Sequence, residues 1–154
     1  MNRKMRNSFI KELNDKITEY VSKRDLFCGG CCYAAYILAE VLSRSGIDYK
    51  VILFESSEEL SKDFNQSINN SGFGVDHIAI KVRKGIRSVI FGGLDGFRKY
   101  RRKSIRHYVG VTPEMILTAY WNNTWNETYQ THNNYKLKQE IFGICSKYGC
   151  GPAE

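Results

Sequence analysis

Apolar residues recur every three to four positions in two segments of the chain, which is the spacing of a helix with a buried face. Residues 8–23 predict an amphipathic helix with Ser8 as a candidate N-cap. Residues 31–45 predict a second helix that ends before Gly46. This second segment has few charges and is apolar around most of its circumference, so we expect it to be a buried, central helix.

Farther along, apolar and polar residues alternate, as they do in strands. Residues 48–54 predict one strand, and residues 75–82 and 86–91 predict an antiparallel hairpin that turns at Lys84-Gly85. The alternation divides the first arm of the hairpin into one face with Ile78, Ile80 and Val82, and another with His77, Ala79 and Lys81.

Three more segments predict helices. Residues 57–67 favour a short polar helix, and residues 135–147 a last helix. A helix over 113–122 begins at Thr112-Pro113, where an N-cap residue precedes proline. We therefore expect an α+β protein in which a central helix packs on a small antiparallel sheet, with further helices at both termini.

The length of 154 residues fits a single domain. We expect an N-terminal helix within 1–25, the chemistry within 26–96, and a basic segment with C-terminal helices within 97–154. No run of about 18 apolar residues is present, and no apolar segment follows the basic N-terminus. We therefore expect a cytoplasmic protein that does not enter a membrane, with its five cysteines reduced.

Cys31 lies where a Gly-rich turn enters the central helix. Free N–H groups and the partial positive charge of a helix N-terminus favour a thiolate, so Cys31 is a candidate nucleophile. His77 opens the hairpin and Asp95 follows it. Two registers of the hairpin are open, with His77 opposite Gly92 or opposite Leu94, and both bring Asp95 within a few residues of His77.

The residues around Cys31 resemble a known pattern. Gly29-Gly30-Cys31, followed by Ala35 and Gly46-Ile47, resembles the nucleophile helix of the transglutaminase-like and arylamine N-acetyltransferase families, which have the papain-like fold. The segment from Cys28 to Ala34 is also similar to Cys-Gly-Ser-Cys-Trp-Ala of papain. The histidine of the family corresponds to His77, and its aspartate to Asp95.

The sequence departs from this pattern at two positions. Asp25 stands where papain-type enzymes have a glutamine, and Gly96 follows Asp95 where transglutaminases commonly have proline. These departures leave the subfamily open.

The resemblance implies a thiol-dependent hydrolase or an acyl or amide transferase: a peptidase, amidase, deamidase or transglutaminase-like enzyme. Cys31 would attack a carbonyl carbon, His77 would take its proton, and Asp95 would orient the imidazole. No metal or other cofactor is implied. Cys32 is the alternative nucleophile, although the spacing to Gly46 favours Cys31.

A basic run begins three residues after Asp95 and has six basic residues in nine, with no acid. Its cations are Arg98, Lys99, Arg101, Arg102, Lys103 and Arg106. Such a run pairs with phosphates or is a solvated surface. At the rim of the site it favours an acidic or phosphorylated substrate. The alternative function is a non-catalytic nucleic-acid-binding protein that uses this run.

The cysteines suggest a third function. Cys28-x2-Cys31 and Cys145-x4-Cys150 have four thiols that could hold zinc. In that case the protein is a zinc-stabilised interaction module, and Cys31 is a ligand.

Overall fold

The computed structural model describes residues 2–22, 30–55, 59–70, 77–84, 87–91, 104–121 and 131–150. Within these ranges the chain forms five helices and one four-stranded antiparallel sheet. They are α1 (Arg3–Ser22), α2 (Gly30–Arg44), β1 (Lys50–Glu55), α3 (Phe64–Asn70), β2 (His77–Lys84), β3 (Arg87–Phe91), β4 (Ser104–Tyr108), α4 (Pro113–Trp121) and α5 (Thr131–Lys147). The predicted α+β class is confirmed.

The strands lie side by side in the order β3-β2-β1-β4, so β1 pairs with both β2 and β4. Alternation divides the sheet into two faces. The inner face joins the main core through Val51, Leu53, Ile78, Ile80, Val82 and Tyr108. The outer face has a second, smaller cluster of Ile52, Phe54, Ala79 and Ile90. Each face therefore buries apolar residues separately.

Helix α2 lies at the centre of the helical layer, where it contacts α1, α4, α5 and strand β2. Its buried residues are Ala34, Ala35, Ile37, Leu38, Ala39, Val41 and Leu42. The prediction of a central helix packed on the sheet is confirmed. Neither α2 nor another described helix is both long and apolar enough to cross a membrane.

Helix α2 ends as its sequence predicts. Gly46 has a φ of +69°, which is unfavourable for residues with a Cβ atom. Its N–H donates to the Ser43 carbonyl at 3.2 Å, and the Ile47 N–H donates to the Leu42 carbonyl at 2.9 Å. These two bonds form a Schellman motif, and they satisfy carbonyls that the last turn leaves open.

Two helices begin earlier than predicted. The Asn2 side chain accepts a hydrogen bond from the Met5 N–H at 2.9 Å, so Asn2 caps α1. The prediction of Ser8 as the cap is wrong, since Ser8 lies inside the helix. Helix α5 begins at Thr131 rather than at residue 135.

The sheet differs from the prediction in its turn and in one strand. Ile80 pairs with Phe91 and Lys84 with Arg87, which is the register predicted to place His77 opposite Leu94. Lys84 is therefore a strand residue and not part of the turn. Strand β4 was not predicted, because its sequence was interpreted only as the end of a basic run.

Candidate active site around Cys31

Cys31 is the second residue of α2, and its side chain is buried. A hydrogen bond connects its sulfur to the backbone of Ile78, the second residue of β2. The N-terminal turn of the central helix therefore meets the first residues of β2. This is the tertiary contact that spacing along the sequence could not establish.

The environment of Cys31 holds the thiol in its protonated form. Burial is the largest effect and raises the pKa of Cys31 to about 11. Hydrogen bonds from the backbone of Ile78, Cys32 and Cys31 itself lower this pKa, but they do not offset the loss of solvation. The prediction of a thiolate stabilised by the helix end is therefore wrong for this structure.

His77 is the first residue of β2 and is fully buried. It pairs with Phe54 across β1 and β2, and the two ring centroids are 5.7 Å apart. His77 thus shares the outer face with Phe54, while its chain neighbour Ile78 faces α2. Cys31 meets this end of β2 from the inner face, whereas His77 lies on the outer face, and the contact between sulfur and imidazole stays a prediction.

The remaining residues of the predicted site lie mostly outside the described ranges. These are Asp95 and the cations Arg98, Lys99, Arg101, Arg102 and Lys103. Arg106 is described: it lies half-exposed on β4, and its Nη1 donates to the Leu60 carbonyl at 3.4 Å. This bond fixes Arg106 at the edge of the sheet, where it pairs with Leu53 of β1.

The surroundings of Cys32 distinguish it from Cys31. Its thiol is fully buried between helices and donates to the Ile116 carbonyl of α4 at 3.9 Å. Burial raises the pKa of Cys32 well above its usual value, and the neighbouring Cys31 raises it further. Cys32 therefore packs α2 against α4, which leaves Cys31 as the better candidate nucleophile.

The described cysteines proposed for zinc lie near opposite ends of α2. Cys145 and Cys150 line a small cavity of about 80 Å³ together with Val41 and Arg44, near the C-terminal end of α2. Cys31 is ten residues from Val41 along the helix, which is about 15 Å. Within the described part of the chain, no three Cys, His, Asp or Glu residues are grouped as metal ligands would be. Cys28 lies outside that part.

One group of functional candidates was missed in the sequence. Lys50, Lys81, Arg83 and His107 lie on the outer face, on three different strands. We call them the outer-face basic cluster. The alternation of apolar and polar residues predicts that Lys81 shares a face with His77. The pairing of β1 with β2 and β4 is needed to bring Lys50 and His107 to the same face.

Comparisons with known proteins assign no role to this candidate site. No protein-family model matches the chain, and neither a curated protein nor a solved structure matches it. The resemblance to papain-like and transglutaminase-like enzymes therefore stays a prediction that rests on the residues around Cys31.

Proposed function

We propose that the protein is a thiol-dependent hydrolase or acyl or amide transferase of the papain-like or transglutaminase-like kind. Cys31 is the nucleophile, His77 the base and Asp95 the residue that orients it. The supporting observation is the contact between the start of α2 and the start of β2. There the Cys31 sulfur has a hydrogen bond to the backbone of Ile78, the residue after His77.

The pKa of about 11 determines how this site would work. Burial raises the pKa of Cys31 well above neutral pH, so the resting site would hold a neutral thiol. His77 accepts the thiol proton while the sulfur bonds to the carbonyl carbon of an amide or ester. The backbone N–H of Cys31, in the first turn of α2, donates to the oxyanion.

The leaving group then departs as the tetrahedral intermediate collapses. The bond from the carbonyl carbon to nitrogen or oxygen breaks, and the imidazolium returns its proton to the departing amine or alcohol. A thioester on Cys31 remains. Water resolves it in a hydrolase, and an amine resolves it in a transferase.

The basic run from Arg98 to Arg106 supplies the proposed preference for an acidic or phosphorylated substrate. The run begins three residues after Asp95, and about 10 Å is the most that three residues can span. Its cations would therefore attract an anionic substrate toward the site over a distance that salt shortens.

The proposal is tested with an activated ester, p-nitrophenyl acetate, with and without an amine acceptor. We expect an acetyl group on the Cys31 peptide by mass spectrometry. Turnover should fall by about a thousandfold or more in Cys31→Ala and His77→Ala. Cys150→Ser is the control, since Cys150 is a half-buried thiol at the far end of α2. Full turnover in a folded Cys31→Ala variant, or acetylation of Cys150 instead, would overturn the proposal.

A further inference from the structure

The outer face of the sheet has two lysines in direct opposition. Lys50 of β1 and Lys81 of β2 are partners in the antiparallel register, so both side chains project from the same face. Like charges at such positions repel and destabilise a sheet. Neither lysine forms an ion pair with a carboxylate among the described residues.

Two further basic residues join this pair. Arg83 lies two residues along β2 on the same face, and His107 lies on β4. The pKa of His107 is lowered, mainly by burial and then by the charges of Lys81 and Lys50. The positive charge of the two lysines therefore reaches the imidazole, although strands β2 and β4 are separated by β1.

Three residues of the cluster border a groove of about 540 Å³. Lys50, Lys81 and Arg83 line it with Tyr49 and one acid, Asp48. Asp48 opposes an anion, but it makes no ion pair with Lys50 or Lys81. The cluster spans three adjacent strands, about 10 Å, so it can hold a ligand with more than one negative group.

Apolar surface continues from the groove along the edge strand. On β4, Ile105 and His107 both lie on the outer face, and Ile105 is 49% exposed. Val109, which follows β4 and lines the groove, is 73% exposed. An exposed sheet face with cations for phosphates, an imidazole ring for stacking and apolar side chains has the features that bind unpaired nucleotides.

We propose that the outer-face basic cluster is a binding site for single-stranded nucleic acid. Lys50, Lys81 and Arg83 contact the backbone phosphates, and His107 stacks on a base. The basic run ends within β4, which contributes His107 to this site. The site differs from the run itself, and it does not depend on the Cys31 chemistry.

The test measures fluorescence anisotropy of a labelled twelve-nucleotide oligo(dT) over a range of salt concentrations. The variant is Lys50→Gln with Lys81→Gln. The matched control, Lys11→Gln with Lys136→Gln, removes the same charge from exposed positions on α1 and α5. We expect the cluster variant to bind at least about tenfold more weakly at low salt. The slope of log K against log salt should fall by about 0.7 for each lysine.

Three outcomes would overturn the proposal. Equal losses in the two double variants would show an effect of net charge alone. Stronger binding of a duplex of the same length would exclude single strands as the preferred ligand. A protein that binds inorganic triphosphate but does not bind the oligonucleotide would exclude nucleic acid as the ligand. The Cys31→Ser variant should bind the oligonucleotide normally, so a failure of the proposed enzyme leaves this result interpretable.

Discussion

Tyr108 and His107 are neighbours on β4, yet they belong to two different environments because they lie on opposite faces of the sheet. The Tyr108 hydroxyl is buried on the inner face, where it donates to the Ser61 carbonyl at 2.7 Å and lies 2.9 Å from the Ser67 hydroxyl. His107 is exposed on the outer face near Lys81. One residue along a strand separates a hydrogen-bonded polar network from the outer-face basic cluster.

Charged residues on the helices differ from those of the outer-face basic cluster. On the helices, several charges are paired: Lys11 with Asp15, Lys147 with Glu12, and Arg44 with Glu40. Exposed pairs of this kind add little to stability, but they leave no strong local field. Lys50 and Lys81 have no such pairs with described residues, and this difference supports the proposed ligand of the outer face.

The largest expected effect comes from removing volume next to the inner face. Leu38 of α2 is fully buried, so Leu38→Ala should cost about 2–5 kcal/mol of unfolding free energy through lost burial and a cavity. Val109→Ala, beside the outer face, should change it by less than about 0.5 kcal/mol. Urea unfolding compares the two, and a similar cost for both would break the contrast between the faces.

The second prediction concerns the thiol at the inner face. With a pKa of about 11, Cys31 should react with iodoacetamide about tenfold faster for each pH unit from 7 to 10. Mass spectrometry of the Cys31 peptide follows the reaction. Cys145 is the internal control, since burial raises its pKa to about 11 as well. An apparent pKa below 8 for Cys31 alone would show an ion pair with His77 at rest.

The third prediction compares the two neighbours on β4. Tyr108→Phe removes a buried donor and should cost about 1–3 kcal/mol, because the Ser61 carbonyl loses a partner. His107→Gln should cost less than about 0.5 kcal/mol. Thermal unfolding of both variants measures the difference. If the two variants melt together, the Tyr108 network contributes nothing beyond packing.

The smallest expected effect is the titration of His107. Its pKa lies below the usual 6.5, so the unfolded chain binds more protons there and stability falls as the pH drops through 6.5 toward the folded pKa. Lys81→Gln should raise this pKa, and Lys11→Gln should not. NMR titration of the His107 ring measures it. An unchanged pKa of His107 in Lys81→Gln would leave burial and Lys50 as the causes.

Local patterns determined several elements correctly. The Thr112 hydroxyl accepts a hydrogen bond from the Met115 N–H at 3.2 Å, and α4 begins at Pro113, as the N-cap followed by proline predicts. Gly46 ends α2 because the left-handed conformation is nearly free for glycine. These features depend on a few adjacent residues, so the sequence alone is sufficient to predict them.

The sequence patterns missed two features of the fold, strand β4 and the first turn of α1. Strand β4 was missed because an edge strand has one exposed face, and Arg106 and His107 conceal the alternation of its sequence. The start of α1 was placed late since its first turn is polar and Asn2 lies among basic residues. Neither segment carries the apolar period on which the prediction depends.

Local sequence patterns are sufficient to predict the α+β class, the central helix with Cys31 at its start, and the alternation that assigns His77 and Lys81 to one face. The folded chain is needed to show that Cys31 meets the backbone of Ile78, that burial raises the pKa of Cys31, and that Lys50 lies beside Lys81. The reason is physical. Helix ends and alternation are local properties of the chain, whereas solvation and electrostatic fields depend on which distant segments exclude water or bring their charges close.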